Sequence, residues 1–152
     1  MDLILWRHAD AADAAAGESD HQRELTHKGH KQAQRMAAWL NAHLPADTVI
    51  LASPAVRAQQ TAAALKRSVT RCDALDTGAE CTVVLHAVRW PKKDGVTLVV
   101  GHQPTLGHVA SLLLTGAEGA LSIKKGAIWW FASGRERKGH AVLRVVMSPD
   151  ML

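Results

Sequence analysis

The chain has 152 residues, 47% of them hydrophobic and 21% charged, with a formal net charge of +4. That is enough chain for one domain with a real core, and the composition is that of a globular protein rather than a disordered or fibrous one. No apolar run is long enough to span a bilayer or act as a signal peptide, and the basic residues are scattered rather than striped as on a nucleic-acid surface. A mild positive field suits an anionic partner. Cys72 and Cys81 read as reduced, inert thiols, in keeping with an expected cytoplasmic location.

Leu3-Ile4-Leu5-Trp6 is an apolar run without alternation, which suits a strand buried on both faces. Arg7 and His8 follow at its carboxyl end, the edge where open α/β sheets bind ligands. Asp10 to Asp20, rich in Ala, Gly and acids, reads as a loop. Thr26 is a good N-cap for a helix from about His27. Ala33, Met36, Ala37, Leu40 and Leu44 give that helix one apolar face, and Pro45 ends it. Gly29 weakens the helix, so it marks close backbone packing. Val49 to Ala52 is a second buried strand. Ser53 and Pro54 follow as a cap and a first-turn proline, opening an Ala-rich helix to about Arg67. That helix carries Arg57 one turn inside, near the same sheet edge as Arg7.

From Ser68 to Lys93 the pattern is ambiguous. Arg71 to Leu75 fits a short strand. Glu80 to Trp90 fits a helix with Cys81, Val84, Leu85 and Val88 on one face, while Val83 to Leu85 fits a strand equally. Val96 to Val100 is a third apolar strand, and Gly101-His102-Gln103-Pro104 again sets a functional residue and then a proline at a helix start. The helix runs to about Thr115-Gly116, with Leu106, Val109, Ala110, Leu113 and Leu114 facing the core. Its N-terminus points amide dipoles at the sheet edge, where an anion is stabilised. Ala127 to Ala132 and Ala141 to Met147 are two more strands. The polar turn from Ser133 to Gly139 is too short for a parallel crossover, so they form an antiparallel hairpin at or near an edge. Trp90, Trp129 and Trp130 suit core and edge packing. The expected fold, over residues 1–152 as one domain, is a three-layer α/β/α sandwich. Its central sheet is mostly parallel, with an antiparallel C-terminal edge hairpin.

Three strands thus each deliver basic residues at their carboxyl ends: Arg7 and His8, then Arg57, then His102. Such a cluster repels itself, since two unit charges 4 Å apart interact by about 4 kcal/mol at an effective dielectric of 20. A bound dianion relieves the repulsion, and the cluster lowers each His pKa so that an imidazole stays neutral and nucleophilic. Arg grips phosphate through two parallel hydrogen bonds, and a neutral His can attack it. Asp10, Asp13 and Glu18 read as solvated loop acids, and Lys124-Lys125 as a solvated turn. His21, His27, His30 and His108 lack convincing metal-ligand spacing.

Leu5-Trp6-Arg7-His8-Ala9, the run from Ser53 to Ala62, and Val100-Gly101-His102-Gln103-Pro104 resemble the histidine phosphatase superfamily, also called phosphoglycerate-mutase-like. Arg23 to Gly29 and Met147-Ser148-Pro149 resemble its branch of small bacterial phosphohistidine phosphatases, SixA. The resemblance covers nearly the whole chain. It implies that His8 is the nucleophile that takes the phosphoryl group. Arg7, Arg57 and His102 would hold the phosphate oxygens, with Arg23 as a further clamp. Water would then hydrolyse phospho-His8, with no metal or other cofactor.

Ala9 stands where many members have Gly, so a backbone needing positive φ there would be strained. Larger members carry an inserted lobe with an acidic proton donor, and this chain is too short for it. The resulting open cleft admits a phosphohistidine displayed on another protein. The resemblance therefore implies a monomeric phosphohistidine phosphatase acting on a phosphotransfer-type protein, with no nucleic-acid or membrane partner. A small-molecule phosphomonoesterase with the same nucleophile and a non-catalytic phosphate-binding module are the alternatives.

Overall fold

Leu3, Ile4, Leu5 and Trp6 of strand β1 (Asp2–Arg7) are all fully buried, so this strand is covered on both faces. In the computed structural model, which describes residues 1–134 and 141–152, alternate side chains of β1 enter two different cores. Ile4 and Trp6 pack with helices α1 (His27–His43) and α2 (Val56–Ala63). Leu3 and Leu5 pack with α3 (Cys81–Ala87) and α4 (Thr105–Thr115). The period of two along a strand sends one residue set to each helical layer. This is the expected three-layer α/β/α arrangement.

The sheet is completed by β2 (Val49–Ala52), β3 (Thr70–Arg71), β4 (Val96–Gly101), β5 (Ile128–Ser133) and β6 (Ala141–Met147). Among the described residues its order is β3-β2-β4-β1-β5-β6. β3, β2, β4 and β1 pair in parallel, while β1–β5 and β5–β6 are antiparallel. The expected edge hairpin is therefore present, although most of the turn expected at Ser133 to Gly139 lies outside the described residues. No described helix is long and apolar enough to cross a membrane.

Helix α1 starts as its sequence predicts. The Thr26 hydroxyl accepts from Gly29 N at 2.9 Å, and the helix stops before Pro45. Its first turn docks on the segment that follows β1. Thr26 N donates to Asp10 O at 3.0 Å, and a Cβ built on Gly29 would lie 1.9 Å from that same oxygen. Only glycine allows so close a backbone approach.

Several local expectations change. Helix α2 begins at Val56, not at Pro54, so Arg57 is its second residue rather than a turn inside. The Ser53 hydroxyl instead accepts from Ala55 N at 3.2 Å in a turn before the helix. The helix stops at Ala63, and Lys66 turns the chain at φ 53°. Of Arg71 to Leu75 only Arg71 is in a strand; Asp73–Leu75 is one 3₁₀ turn. The ambiguous 80–90 segment holds a helix only over Cys81–Ala87, with turns after it, and it buries Cys81, Val84 and Val88. Leu114 is 41% exposed rather than in the core, because Leu113 closes the buried stripe and the next residue lies about 100° further round. Ala9 is fully buried and is not among the residues with positive φ, so its Cβ brings no backbone strain.

Replacing Gly29 by Ala forces its new methyl group into the Asp10 carbonyl. The expected result is a loss of about 1–3 kcal/mol in urea unfolding, the usual cost of overpacking. A variant of unchanged stability would show that the helix and loop can separate freely.

Candidate functional site

Two backbone hydrogen bonds beyond the strand ends bring the predicted residues together. His8 N donates to Gly101 O, and Ser53 N donates to Val100 O, both at 3.0 Å. They extend the parallel pairings of β1 and β2 with β4 by one step, so that His8, Ser53 and His102 meet at the carboxyl edge. The His8 and His102 ring centroids are 5.2 Å apart. His8, His102 and Arg57 are 7%, 3% and 4% exposed, so all three are buried groups rather than surface cations.

The hydrogen bonds assign the His8 tautomer. His8 Nδ1 lies 2.7 Å from Ala9 O, a pure acceptor, so Nδ1 carries the proton. The Nε2 lone pair then points into the site, where Arg57 Nε–H donates to it at 3.3 Å. Burial, opposed by the Ala9 hydrogen bond and reinforced by the charges of Arg57, Arg7 and Arg23, lowers the His8 pKa to about 4. Burial together with His8 and Arg57 lowers that of His102 to about 3. Both rings are neutral at pH 7.

His102 Nε2 lies 2.7 Å from Ser53 Oγ. That hydroxyl also accepts from Ala55 N, and its second lone pair and its proton let it pair with either tautomer of the His102 ring. His102 Nδ1 is buried and has no partner among the described residues. The Arg7 Nε–H is likewise buried and unpartnered, while Arg7 NH1 donates to Ile123 O at 2.7 Å. Buried polar groups are normally paired, so two unpartnered nitrogens at one edge mark a position for a polar ligand.

Arg23 joins the cluster through Asp20, a residue that carries no signal in the sequence. Arg23 NH1 donates to Asp20 Oδ1 at 3.0 Å, and Arg57 NH2 donates to Asp20 Oδ2 at 2.9 Å. Arg57 NH1 also reaches the Asp20 carbonyl at 2.7 Å. The two guanidiniums hold the Asp20 carboxyl below its usual pKa, so it is ionised. One carboxylate thus occupies donors from both arginines, in the way two oxygens of a tetrahedral oxyanion can. Ser53 and Asp76 were also missed. Ser53 reads as a cap, and Asp76 lies in the ambiguous stretch; its carboxylate pairs with His21 at 2.6 Å.

The loop acids differ among themselves. Asp13 is exposed, and Glu18 accepts from Ala15 N at 2.7 Å. Asp10, expected to be solvated, is held by Lys125 and Thr26, each at 2.7 Å. The basic residues, expected to be scattered, partly gather. Lys28, Lys31 and Arg35 of α1 and Lys124 and Lys125 before β5 line one groove of about 680 Å³. Lys124-Lys125 is the expected solvated turn, and it also walls the groove, because the chain before β5 runs beside the start of α1. No group of three or more His, Cys, Asp or Glu among the described residues is arranged to hold a metal ion.

Comparison with known proteins places the chain in one family. The model of the histidine phosphatase superfamily (branch 1) matches residues 3–81. An uncharacterized protein of Mycobacterium tuberculosis is 34% identical over 143 residues, which are 91% of this chain and 86% of that protein. The phosphohistidine phosphatase SixA of Escherichia coli is 31% identical over 128 residues, 76% of each chain. The solved structure of the protein histidine phosphatase SixA complexed with tungstate superimposes with a TM-score of 0.83. It is 26% identical and covers 99% of both chains.

The two depressed histidines make stability depend on pH. Unfolded, each titrates near 6.5; folded, at about 4 and about 3. Between these values the unfolded chain binds protons that the folded one does not, so acid favours unfolding. Stability is expected to fall as pH drops from about 6.5 toward 4, by up to about 1.4 kcal/mol per pH unit for each ring. Urea unfolding from pH 7 to 4 measures this, and His102→Asn should flatten the slope. An unchanged slope in that variant would mean that His102 titrates normally.

Proposed function

Because the chain belongs to the histidine phosphatase superfamily, branch 1, and is accordingly a phosphatase, we propose that it hydrolyses the phosphoryl group from a phosphorylated histidine on a protein. The reaction runs through a covalent phospho-His8 intermediate. The observation that carries this reading is the His8 ring, buried and neutral, with its Nε2 lone pair directed at the Arg57 guanidinium. A relative complexed with tungstate, a tetrahedral oxyanion like phosphate, supports oxyanion binding by this fold. Relatives described as phosphohistidine phosphatases support the substrate class.

His8 Nε2 attacks phosphorus, and the bond from phosphorus to the substrate imidazole nitrogen breaks. The substrate imidazole, already protonated on its other ring nitrogen, leaves as a neutral ring. Water then attacks the phosphorus of phospho-His8, releasing inorganic phosphate and free His8. Arg57, Arg7 and Arg23 offset the charge spread over the equatorial oxygens, and His102, with its proton on the unpartnered Nδ1, donates to one of them. Such catalysis is positioning and electrostatics, with little covalent work for the protein beyond the nucleophile.

Asp20 fits this scheme as the resident counter-ion. Its carboxylate occupies Arg57 and Arg23 until a phosphoryl group takes their N–H groups. Without a counter-ion, the buried Arg57 would carry an uncompensated charge, which is costly.

The direct test is turnover of a phosphorylated histidine phosphotransfer domain against p-nitrophenyl phosphate. A preference for the phosphoprotein of at least about tenfold in kcat/KM, equivalent to ~1.4 kcal/mol, is expected. A preference for the ester would favour a small-molecule phosphomonoesterase. His8→Ala should lower kcat by about a thousandfold or more and abolish acid-labile phosphate on the enzyme, while vanadate still binds. Normal activity in that variant would remove the nucleophile assignment. Asp20→Asn should cost about 1–3 kcal/mol of stability in phosphate-free buffer and be rescued by added phosphate more than the wild type is. Equal stabilisation of both by phosphate would mean that Asp20 does not share the anion's donors.

A further inference from the structure

The groove beside the site carries a charge pattern that the fold does not reward. Lys28, Lys31 and Arg35 are three and four residues apart, so they line one face of α1. Lys124 and Lys125 face them across the groove, and all five side chains are exposed. Five cations meet two carboxylates there, Asp10 and Asp150, a surplus of three in a chain whose whole net charge is +4. Both carboxylates are engaged: Asp10 with Lys125 at 2.7 Å, and Asp150 with Lys124 at 3.4 Å. Lys28, Lys31 and Arg35 make no ion pair among the described residues.

Helix α1 gains little from this stripe beyond the pull of Asp10 on Lys28. Like charges three and four apart on a helix repel. The first turn contains no acid, and Lys28 sits at the positive end of the helix dipole. Three cations are thus held where they disfavour one another and, at Lys28, the helix. An anionic partner relieves both effects.

The groove is also joined to the site by backbone. Arg7 NH1 donates to Ile123 O. Lys124 and Lys125 follow, and then Gly126 N lies 3.1 Å from the carbonyl oxygens of both Arg7 and His8. On the other side Asp10, two residues beyond His8, lines the groove. A macromolecule presenting a side chain to His8 therefore lays its neighbouring surface over these lysines. The walls are long charged side chains rather than apolar ones with a few fixed polar groups, which suits a macromolecular contact better than a small-ligand pocket.

We propose that this groove docks an acidic surface of the phosphoprotein substrate, next to its phosphorylated histidine. The inference rests on the phosphohistidine-protein reading above. Acidic side chains around the phosphohistidine meet Lys28, Lys31 and Arg35, which speed productive encounter and reject basic surfaces. The effect belongs to association, so it weakens as salt screens exposed charges.

The test compares wild type with the triple variant Lys28→Gln, Lys31→Gln, Arg35→Gln on two substrates. One is an acidic histidine phosphotransfer domain phosphorylated on its histidine, and the other is free phosphohistidine. The variant should lose about tenfold or more in kcat/KM on the phosphoprotein at low salt, with a flatter salt dependence. It should keep the wild-type rate on free phosphohistidine, with an unchanged or raised melting temperature. An unchanged rate and salt slope on the phosphoprotein would overturn the docking role, as would equal losses on both substrates. Loss confined to binding of a duplex DNA fragment would overturn it in favour of a nucleic-acid surface. If wild type cleaves neither phosphohistidine substrate, the function reading itself falls, and the docking role with it.

Discussion

The site depends on the register in which β4 lies between β2 and β1. Arg7 pairs with Gly101 and Ala52 with Val100, and one further hydrogen bond on each side aligns His8 and Ser53 with the end of β4. A parallel strand pair cannot slip by one residue without sending every side chain to the opposite face. Here that would expel Ile4 and Trp6 from one core and Leu3 and Leu5 from the other. The apolar packing of the two helical layers therefore fixes the relative positions of the polar groups at the edge. Trp6 adds a direct tie, its indole N–H donating to Gly126 O at 3.0 Å, which holds the chain before β5 against the end of β1.

The second constraint is charge. Burying Arg57 beside two imidazoles is tolerable only because both rings are neutral and because Asp20 supplies a counter-charge. Asp20 is itself half in water, so its bond to Arg57 is a replaceable one. A site arranged this way is balanced without substrate and can exchange one anion for another with little net change in charge. The unpartnered Nε of Arg7 is a donor that Asp20 does not reach. In the proposed reaction it offers a phosphoryl oxygen a contact that the Asp20 carboxylate leaves open.

Gly29 connects these constraints to the outer surface. Its contact with Asp10 O seats the first turn of α1 against the loop after His8. The same contact brings Lys28 and Lys31 to the groove shared with Lys124 and Lys125. The chain segments that flank the His8 and Arg7 backbone on the inside thus form the basic groove on the outside. A macromolecule bound in the groove is consequently close to the chemistry.

Much of this was legible in the sequence because it is local. Uninterrupted apolar runs identify β1, β2 and β4, helical spacing identifies α1 and α4, and Thr26 and Gly116 lie where the helix caps form. Arg7, His8, Arg57 and His102 follow because a strand end in a parallel sheet has a known location relative to the ligand. The start of α2 was misjudged because Ser53 and Pro54 satisfy a capping pattern, yet the serine hydroxyl is taken up by a turn and by His102. Asp20, in a loop of alternating small and acidic residues, has no periodicity to betray it. Its partners Arg23 and Arg57 are 3 and 37 residues away, and only folding brings the distant one to it. The same holds for the groove, whose lysines come from α1 and from a segment roughly ninety residues later. What the sequence by itself determined were the elements and the identity of the strand-end residues, since periodicity and capping act within a few residues. Tertiary structure alone decided which carboxylate faces the arginines and where the cations gather, since those depend on through-space distances between distant segments.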